Sequence, residues 1–368
     1  MMSAFSLPPT LSRYLAKSYL VNLLFMAAIL LGTIFMFDLV ELLRRASKRE
    51  DVSFVTVAEM GLLKLPEMAL MIAPFIVLFS ALFTFWQLTR RQEVVVLRSS
   101  GISIWQFLSP IILVAMATGV FMVTIINPVS ALFYSRFTVL ESTYLNQQQD
   151  MVAVFDEGLW LRQDTNDGYA ILHAAKIDVP DWRLKDVMVL FFDENDNFSQ
   201  RIDAKQSLLK PGNWVLGNAV INRPGVPSEQ KSSFDLPTGL TPRDIEDSFS
   251  SPQTMGFWSL PSYIGTLEST GFDSTRLRIH FQSLLSQPLL YAAMVLLAAS
   301  VALRPQRQGY TFAFITVGVV IGFAVFFMSS FLQALGASHQ IPVFLSAWST
   351  AMLCLLLGIA ALLTLEDG

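Results

Sequence analysis

The chain has 368 residues, 53% of them apolar and only 15% charged, with a formal net charge of −4. A soluble domain is nearer a quarter charged, so a soluble globular protein is excluded. The single cysteine, Cys354, excludes an internal disulfide and a cysteine-built metal site.

The charges cluster. Residues Asn127 to His280 hold 13 Lys/Arg and 20 Asp/Glu. Outside them lie six stretches of about 20 residues nearly free of charge, each long enough to span a bilayer's hydrocarbon core as a helix. The expected fold is a polytopic α-helical membrane protein with six transmembrane helices, three on each side of one water-facing domain. The expected parts are an N-terminal membrane half, 1–126, with helices over about 17–40, 63–88 and 102–126. The domain, 127–280, lies between helices 3 and 4. A C-terminal half, 281–368, has helices over about 281–302, 310–332 and 342–363.

The first run is too long for a cleavable signal core and should remain as a helix. Tyr14 and Tyr19 suit the headgroup level, and the polar Asn22 and Asp38 lie near its ends, where they cost less. Then comes a basic run, Glu41 to Asp51, with Arg44, Arg45, Lys48 and Arg49. It fits either an interfacial anchor or a surface for an anionic amphiphile. In the second helix Pro66 falls near the first turn, while Pro74 should kink the helix and free a carbonyl. Lys64 and Glu67 stand i, i+3 and are placed to pair.

Residues Thr89 to Gly101 form a short, basic, amphipathic segment. If helical, Arg90, Glu93 and Leu97 fall near one another, and Gly101 ends the helix. Such a segment either receives a push from a soluble partner or is a plain solvated loop. The third helix contains Pro110 and stops at Asn127-Pro128. With the N-terminus inside, seven basic residues (Arg13, Lys17, Arg90, Arg91, Arg98, Arg304, Arg307) lie on the inner side, against five in the first outer loop (Arg44, Arg45, Lys48, Arg49, Lys64). The balance favours an inner N-terminus.

The domain opens with a helical stretch, 127–149, then alternates short apolar runs with turn residues. Strands are expected over 151–155, 158–162, 169–177, 184–192, 199–209 and 214–221, with Asp156-Glu157 as a hairpin tip and Asp193 to Asn197 as a hydrophilic turn. That pattern points to a sandwich or jellyroll. Phe155, Trp160, Phe191 and Trp214 are either its plain core or the lining of a groove for acyl chains. Trp258, Pro261 and Tyr263 suggest an interfacial return. His280 reads as an interfacial histidine rather than a ligand. Pro288 should bend the fourth helix, residues 304–309 make a short inner turn, and Gly318 and Gly322 hint at close helix approach.

No GxxxxGK[ST] loop, HExxH pair or GxSxG elbow occurs, and the three histidines are far apart. No catalytic residue, metal site or cofactor is assigned to this chain. Energy for any transport must come from a partner. Three readings stay open: a transporter subunit driven by a separate ATPase, a tether whose helices only anchor an outer domain, and a membrane enzyme, which lacks a catalytic constellation.

The order of elements resembles the lipopolysaccharide export permeases of the LptF/LptG family over essentially the whole chain, most of all their alphaproteobacterial LptG branch. The resemblance is carried by Phe37-Asp38-Leu39-Val40-Glu41-Leu42-Leu43-Arg44-Arg45, by Arg91-Gln92-Glu93-Val94-Val95-Val96-Leu97-Arg98-Ser99-Ser100-Gly101, and by His280 to Pro288. It implies a permease subunit of an ABC-type exporter in the bacterial inner membrane, with a periplasmic β-jellyroll. It implies an LptF-like second subunit, a cytoplasmic LptB-like ATPase dimer holding ATP and magnesium, a single-span LptC-like protein, an LptA-like bridge, and no nucleic acid. Arg90, Arg91, Glu93 and Arg98 then belong to a segment coupled to the ATPase. Arg44 and Arg45 fall where the family meets lipid A phosphates. Lys64 is near another such position, although the family orders its lysine and proline differently there. Trp160 and Phe191 are the domain's candidates for lipid contact.

Overall fold

Proline and serine set the starts of the first two helices. A computed structural model describes residues 8–47, 52–141, 144, 151–155, 158–165, 168–178, 183–193, 197–210, 212–238, 252–269, 273–303 and 311–366. The side chains of 151–158, 164, 176–178, 311–315 and 365–366 lie outside the description. So do Lys48 to Asp51, the Asp156-Glu157 tip, residues 194–196 and the turn 304–310. Helix α1 spans Pro9–Ala46 with proline in its first turn, where the missing N–H is tolerated. Helix α2 spans Phe54–Arg90 behind Ser53, whose hydroxyl accepts the Val55 N–H at 3.3 Å. Both extend beyond their apolar runs, because the caps lie in the polar flanks.

The chain divides into two compact units, one of residues 1–138, 253–258 and 278–368, the other of 139–252 and 259–277. In the first, α2 turns into a short α3 (Glu93–Ser99), and Ser103 with Gln106 forms a capping box that starts α4 (Ile104–Phe121). A π turn over Met122–Ile126 leads without a break into α5 (Asn127–Glu141). Pro128 has no N–H for the Thr124 carbonyl, and the Trp258 indole donates to that oxygen instead, at 3.1 Å. Asn127 accepts the Phe257 N–H at 2.7 Å. The returning chain is thus pinned at the irregular turn. After a short α6 (Leu260–Ser269) of the second unit come α7 (Thr275–Ala302), α8 (Thr311–Ala337) and α9 (Val343–Glu366). Six helical runs among the described residues are long and apolar enough to cross a membrane.

Their cores are unequal. In the most apolar stretches of α2 and α7, 61% of residues are buried, against 11% in α1 and 17% in α8. Leu78, Phe85 and Leu88 of α2 share one buried cluster with Tyr291, Val295 and Ala299 of α7, Tyr19 of α1, Ile111 of α4 and Cys354 of α9. Gly322 lets α8 come down on α2, since a Cβ there would sit 2.9 Å from the Phe75 ring.

The second unit holds seven antiparallel strands in sequence order, β1 (Met151–Phe155), β2 (Gly158–Thr165), β3 (Gly168–Asp178), β4 (Arg183–Asp193), β5 (Phe198–Lys210), β6 (Asn213–Arg223) and β7 (Val226–Pro237). One buried row crosses it through paired residues: Leu161, Leu172, Val189, Ile202 and Ile221. The sheet is a meander, and it folds over on itself: Gln163 of β2 donates to the Pro237 carbonyl at the end of β7, 2.9 Å away. The sheet thus curves enough to bring β2 to the end of β7. β7 is absent from the strands expected above, because Val226 to Ser233 is polar and exposed throughout and shows no alternation.

Candidate functional site

The basic run at the end of α1 is self-paired. Arg44 grips Glu41 with Nε and Nη2, at 2.7 and 2.8 Å, and Arg45 Nε reaches the same carboxylate at 3.0 Å. Two adjacent arginines on a helix point about 100° apart, yet the i−3 and i−4 spacing to Glu41 draws both to one place. Both stay exposed, so the cluster presents one net positive charge and two guanidinium forks outward.

Lys64 does not pair with Glu67. Its ammonium lies 2.6 Å from Asp38 Oδ1 of α1 and over the Phe137 ring at 5.5 Å. Crossing to Asp38 joins α1 to α2 and neutralises an acid that is mostly buried. Glu67 instead lines a cavity.

At the opposite end of α2 the chain departs from the expected single amphipathic segment. Arg90 is the last residue of α2, stacked on Trp86 at 5.0 Å, and Gln92 takes φ +62° to reverse the chain before α3 starts at Glu93. Arg90 therefore does not share α3 with Glu93 and Leu97. Gly101, at φ +79°, ends α3, and the Ile102 N–H returns to the Leu97 carbonyl at 3.2 Å. Val94 and Leu97 pack on the helical core, whereas Val95 and Val96 are exposed, with Arg91 and Arg98 exposed beside them. Glu93 accepts both from Tyr14 Oη of α1, at 3.0 and 3.1 Å, and lies 4.0 Å from Arg91. So α3 is tied to the first turns of α1 while showing an apolar pair bordered by arginines.

In the β unit the strand pairing separates the two lipid candidates. Phe191 shares the inner face with Val187 and Val189 and meets Phe234 of β7 edge-on at 6.5 Å. Trp160 alternates with the buried Leu159 and Leu161 and so lies on the other face, against His173 at 4.3 Å. Trp160 therefore does not line the interior with Phe191, because the period of two sends odd and even positions of β2 to opposite sides. Trp214 is fully buried on the inner face, and the Phe155 side chain is outside the description.

A cavity of about 290 Å³ lies within the helical unit, between α2, α5, α7, α8 and α9. Its walls include Glu67, Asn127, His280, Ser283, Gln287 and Thr350. His280 thus lies inside the helix cluster, in the second turn of α7, rather than at a plain interface. No group of three or more His, Cys, Asp or Glu side chains able to hold a metal occurs among the described residues.

The profile of the lipopolysaccharide export system permease family LptF/LptG matches residues 13–364. The chain belongs to this family. It is similar to the LptG permease protein of Haemophilus influenzae, 24% identical over 94% of this chain and 95% of that one. It is also similar to LptG of Escherichia coli K12, 23% identical over 92% and 93%. With six helices among the described residues long and apolar enough to cross a membrane, this LptF/LptG permease is a multi-pass inner-membrane protein of the lipopolysaccharide export system.

In this LptF/LptG chain three features carry no local signal in the sequence that names their partners. Tyr14 suits a headgroup anchor, and its partner Glu93 lies 79 positions away. Asp38 suits a polar helix end, and its partner Lys64 is 26 positions on. The cavity wall did leave a trace: His280, Ser283 and Gln287 stand at i, i+3 and i+7, along one side of α7.

Proposed function

We propose that the chain is the LptG-type permease subunit of an ATP-driven lipopolysaccharide exporter. In this reading it pairs with an LptF-like subunit and an LptC-like single-span protein. An LptB-like ATPase dimer drives it from the cytoplasm. Its β unit lies in the periplasm and hands the lipid to an LptA-like bridge. The relatives' LptG names favour this subunit over LptF. The observation that carries the reading is α3. It hangs between two spanning helices, exposes Val95 and Val96 beside Arg91 and Arg98, and is fastened through Glu93 to α1. A soluble ATPase docked there moves three helices at once. At the other end, Arg44 and Arg45 meet lipid phosphates with paired, charge-assisted hydrogen bonds, displacing Glu41. Lys64 keeps α1 and α2 together beneath them. The inner β face around Phe191 holds acyl chains.

Glu93→Ala in the reconstituted complex tests this. Lipid moved per ATP hydrolysed should fall about ten-fold, or the ATPase should fail to bind. Assembly and transport at the normal rate would sink the coupling role. If α3 can be replaced by a flexible linker without effect, the chain is a tether.

A further inference from the structure

The cavity in the helical unit is graded along its length. Its wall runs from Glu67 to Phe75 on α2, from His280 to Met294 on α7, and from Gln333 back to Phe326 on α8. The polar ends of these rows lie together. Ile279 of α7 stands against Gly336 of α8, where an added Cβ would come within 2.9 Å of it, while at the other end Phe75 meets Phe326 at 6.0 Å. From Glu67 to Phe75 the wall extends about 12 Å along α2. Glu67, Ser329 and Gln333 are part-exposed and Ser330 is exposed, so the polar end is open to an occupant. Glu67 has no hydrogen bond or ion pair among the described residues. Lys64 is committed to Asp38 at 2.6 Å, and the two act on Glu67 only from further off, with opposite signs. Among the described residues the walls carry no lysine or arginine. A carboxylate withdrawn from bulk water is costly without a countercharge.

We propose that this cavity binds a small primary alkylamine in its ammonium form, with the head at Glu67 and the stem between Phe75, Met294 and Phe326. An ammonium has three donors and no acceptor. Glu67 takes one. Gln333, whose amide nitrogen donates to Ser329 Oγ at 3.1 Å, keeps its amide oxygen for a second, and the Ser330 hydroxyl offers a third acceptor. The stem removes apolar surface from water at the far end. A metal ion would leave that end empty. An acyl chain or a neutral alcohol would leave the carboxylate without a countercharge. An anion, the phosphate of an aminophospholipid included, meets no cation on these walls. The volume, about 290 Å³, is at the small end of ligand sites and suits one short chain. The site does not depend on the exporter reading.

The probe is n-hexylamine bearing a diazirine at its far end, photolysed with the full chain in phosphatidylcholine nanodiscs, and the adducts are mapped by mass spectrometry. The matching alcohol and carboxylate probes carry the same diazirine. The amine should mark Phe75, Met294 or Phe326, and unlabelled n-hexylamine should suppress those adducts. The alcohol and the carboxylate should mark them about ten-fold less, the worth of one hydrogen bond to a charged group. Glu67→Gln should lose capture of the amine by the same factor while melting like the parent. Equal capture of amine and alcohol overturns the proposal, since the cavity is then only an apolar hole. Absence of adducts overturns it too, as do adducts confined to the outward side chains of α1 and α8, or a folded Glu67→Gln that captures the amine as well as its parent. The three probes are compared on the unaltered chain, so that comparison decides the matter even where Glu67→Gln does not fold.

Discussion

Helices α2 and α7 and helices α1 and α8 all have strongly apolar spanning stretches and are opposite in what surrounds them. The first pair is mostly buried and carries Pro66, Pro74 and Pro288 together with Glu67, His280, Ser283 and Gln287. The second pair has no proline beyond the first turn and shows outward Leu24, Phe25, Ile29 and Phe37 on α1, and Val320, Phe323, Phe327 and Phe331 on α8. In hydrocarbon every freed backbone group needs a protein partner. Interrupted helices therefore go to the middle, and smooth ones to the surface that lipid or another subunit covers. The polar side chains of α1 support this: Asn22 turns inward and donates to Thr84 of α2 at 2.9 Å, and Thr33 donates to the Ile29 carbonyl of its own helix at 2.8 Å.

The largest way to break that contrast is to thicken a central contact. A Cβ at Gly119 of α4 would lie 2.6 Å from the Pro288 Cα of α7, and backbone cannot step aside. Gly119→Val should cost about 3 kcal/mol, at the upper end of overpacking penalties, and lower the melting temperature in detergent or prevent accumulation in the membrane. Gly32→Val on α1, where nothing lies within 4 Å, is the control and should melt like the parent. Equal melting of the two variants would refute the division into central and peripheral helices.

Next in size is the Asp38–Lys64 tie, a charge pair with 11% and 27% side-chain exposure. Lys64→Met leaves the acid unpaired, with Asp38 Oδ2 already lacking a partner. The expected loss is about 3 kcal/mol. Adding Asp38→Leu should restore most of it, since an apolar pair of similar volume replaces a buried ion pair at little cost. A double-mutant cycle by thermal melting reads this, and a double variant no better than Lys64→Met rules the tie out as a structural pair.

How much of this was legible follows from the same contrast. Smooth helices announce themselves by length and hydropathy, and the six spans were readable for that reason. The strands up to Ile221 were readable from their alternation. β7 was not, because Val226 to Ser233 is held by backbone pairing with β6 and not by burial. Side-chain partners were the least legible part. A lysine three residues before a glutamate predicts a local pair, yet Lys64 reaches Asp38, a residue 26 positions away on α1. In the same way alternation told that β2 has two faces, but not that Trp160 sits on the outer one, because nothing local says which face the folded sheet encloses.

At the α3 end the expected effect is smaller. Tyr14→Phe removes the hydrogen bonds that fasten Glu93 to α1, together with the hydroxyl's contact with Arg91, and these groups are close to solvent. A bond to a charged group there is worth about 1 kcal/mol or less net. Lipid moved per ATP should fall about two- to three-fold, with the ATPase still bound. Glu93→Ala should fall further. If Tyr14→Phe matches the parent, α1 is not driven through this contact.

The smallest expected effect sharpens the comparison from the peripheral side. Leu24 of α1 is 64% exposed and touches little of its own chain. Truncating a core leucine costs about 2–5 kcal/mol, whereas a surface change away from special contacts stays within about 0.5 kcal/mol. Leu24→Ala should therefore leave the melting of the isolated chain unchanged. If that face meets only lipid, the variant should also pair normally with a second permease subunit, because acyl chains fill the space the side chain leaves. If a second subunit lies on it, the missing methyl groups open a gap in a packed interface, and helix association in a membrane depends on such packing. The proposed heterodimer then loses affinity while the chain keeps its own stability. Co-purification of the two subunits over a detergent series, with the isolated chain's melting as reference, reads both quantities. A drop in pairing with unchanged melting marks α1 as an interface helix. A drop in both would show that α1 belongs with α2 and α7 after all.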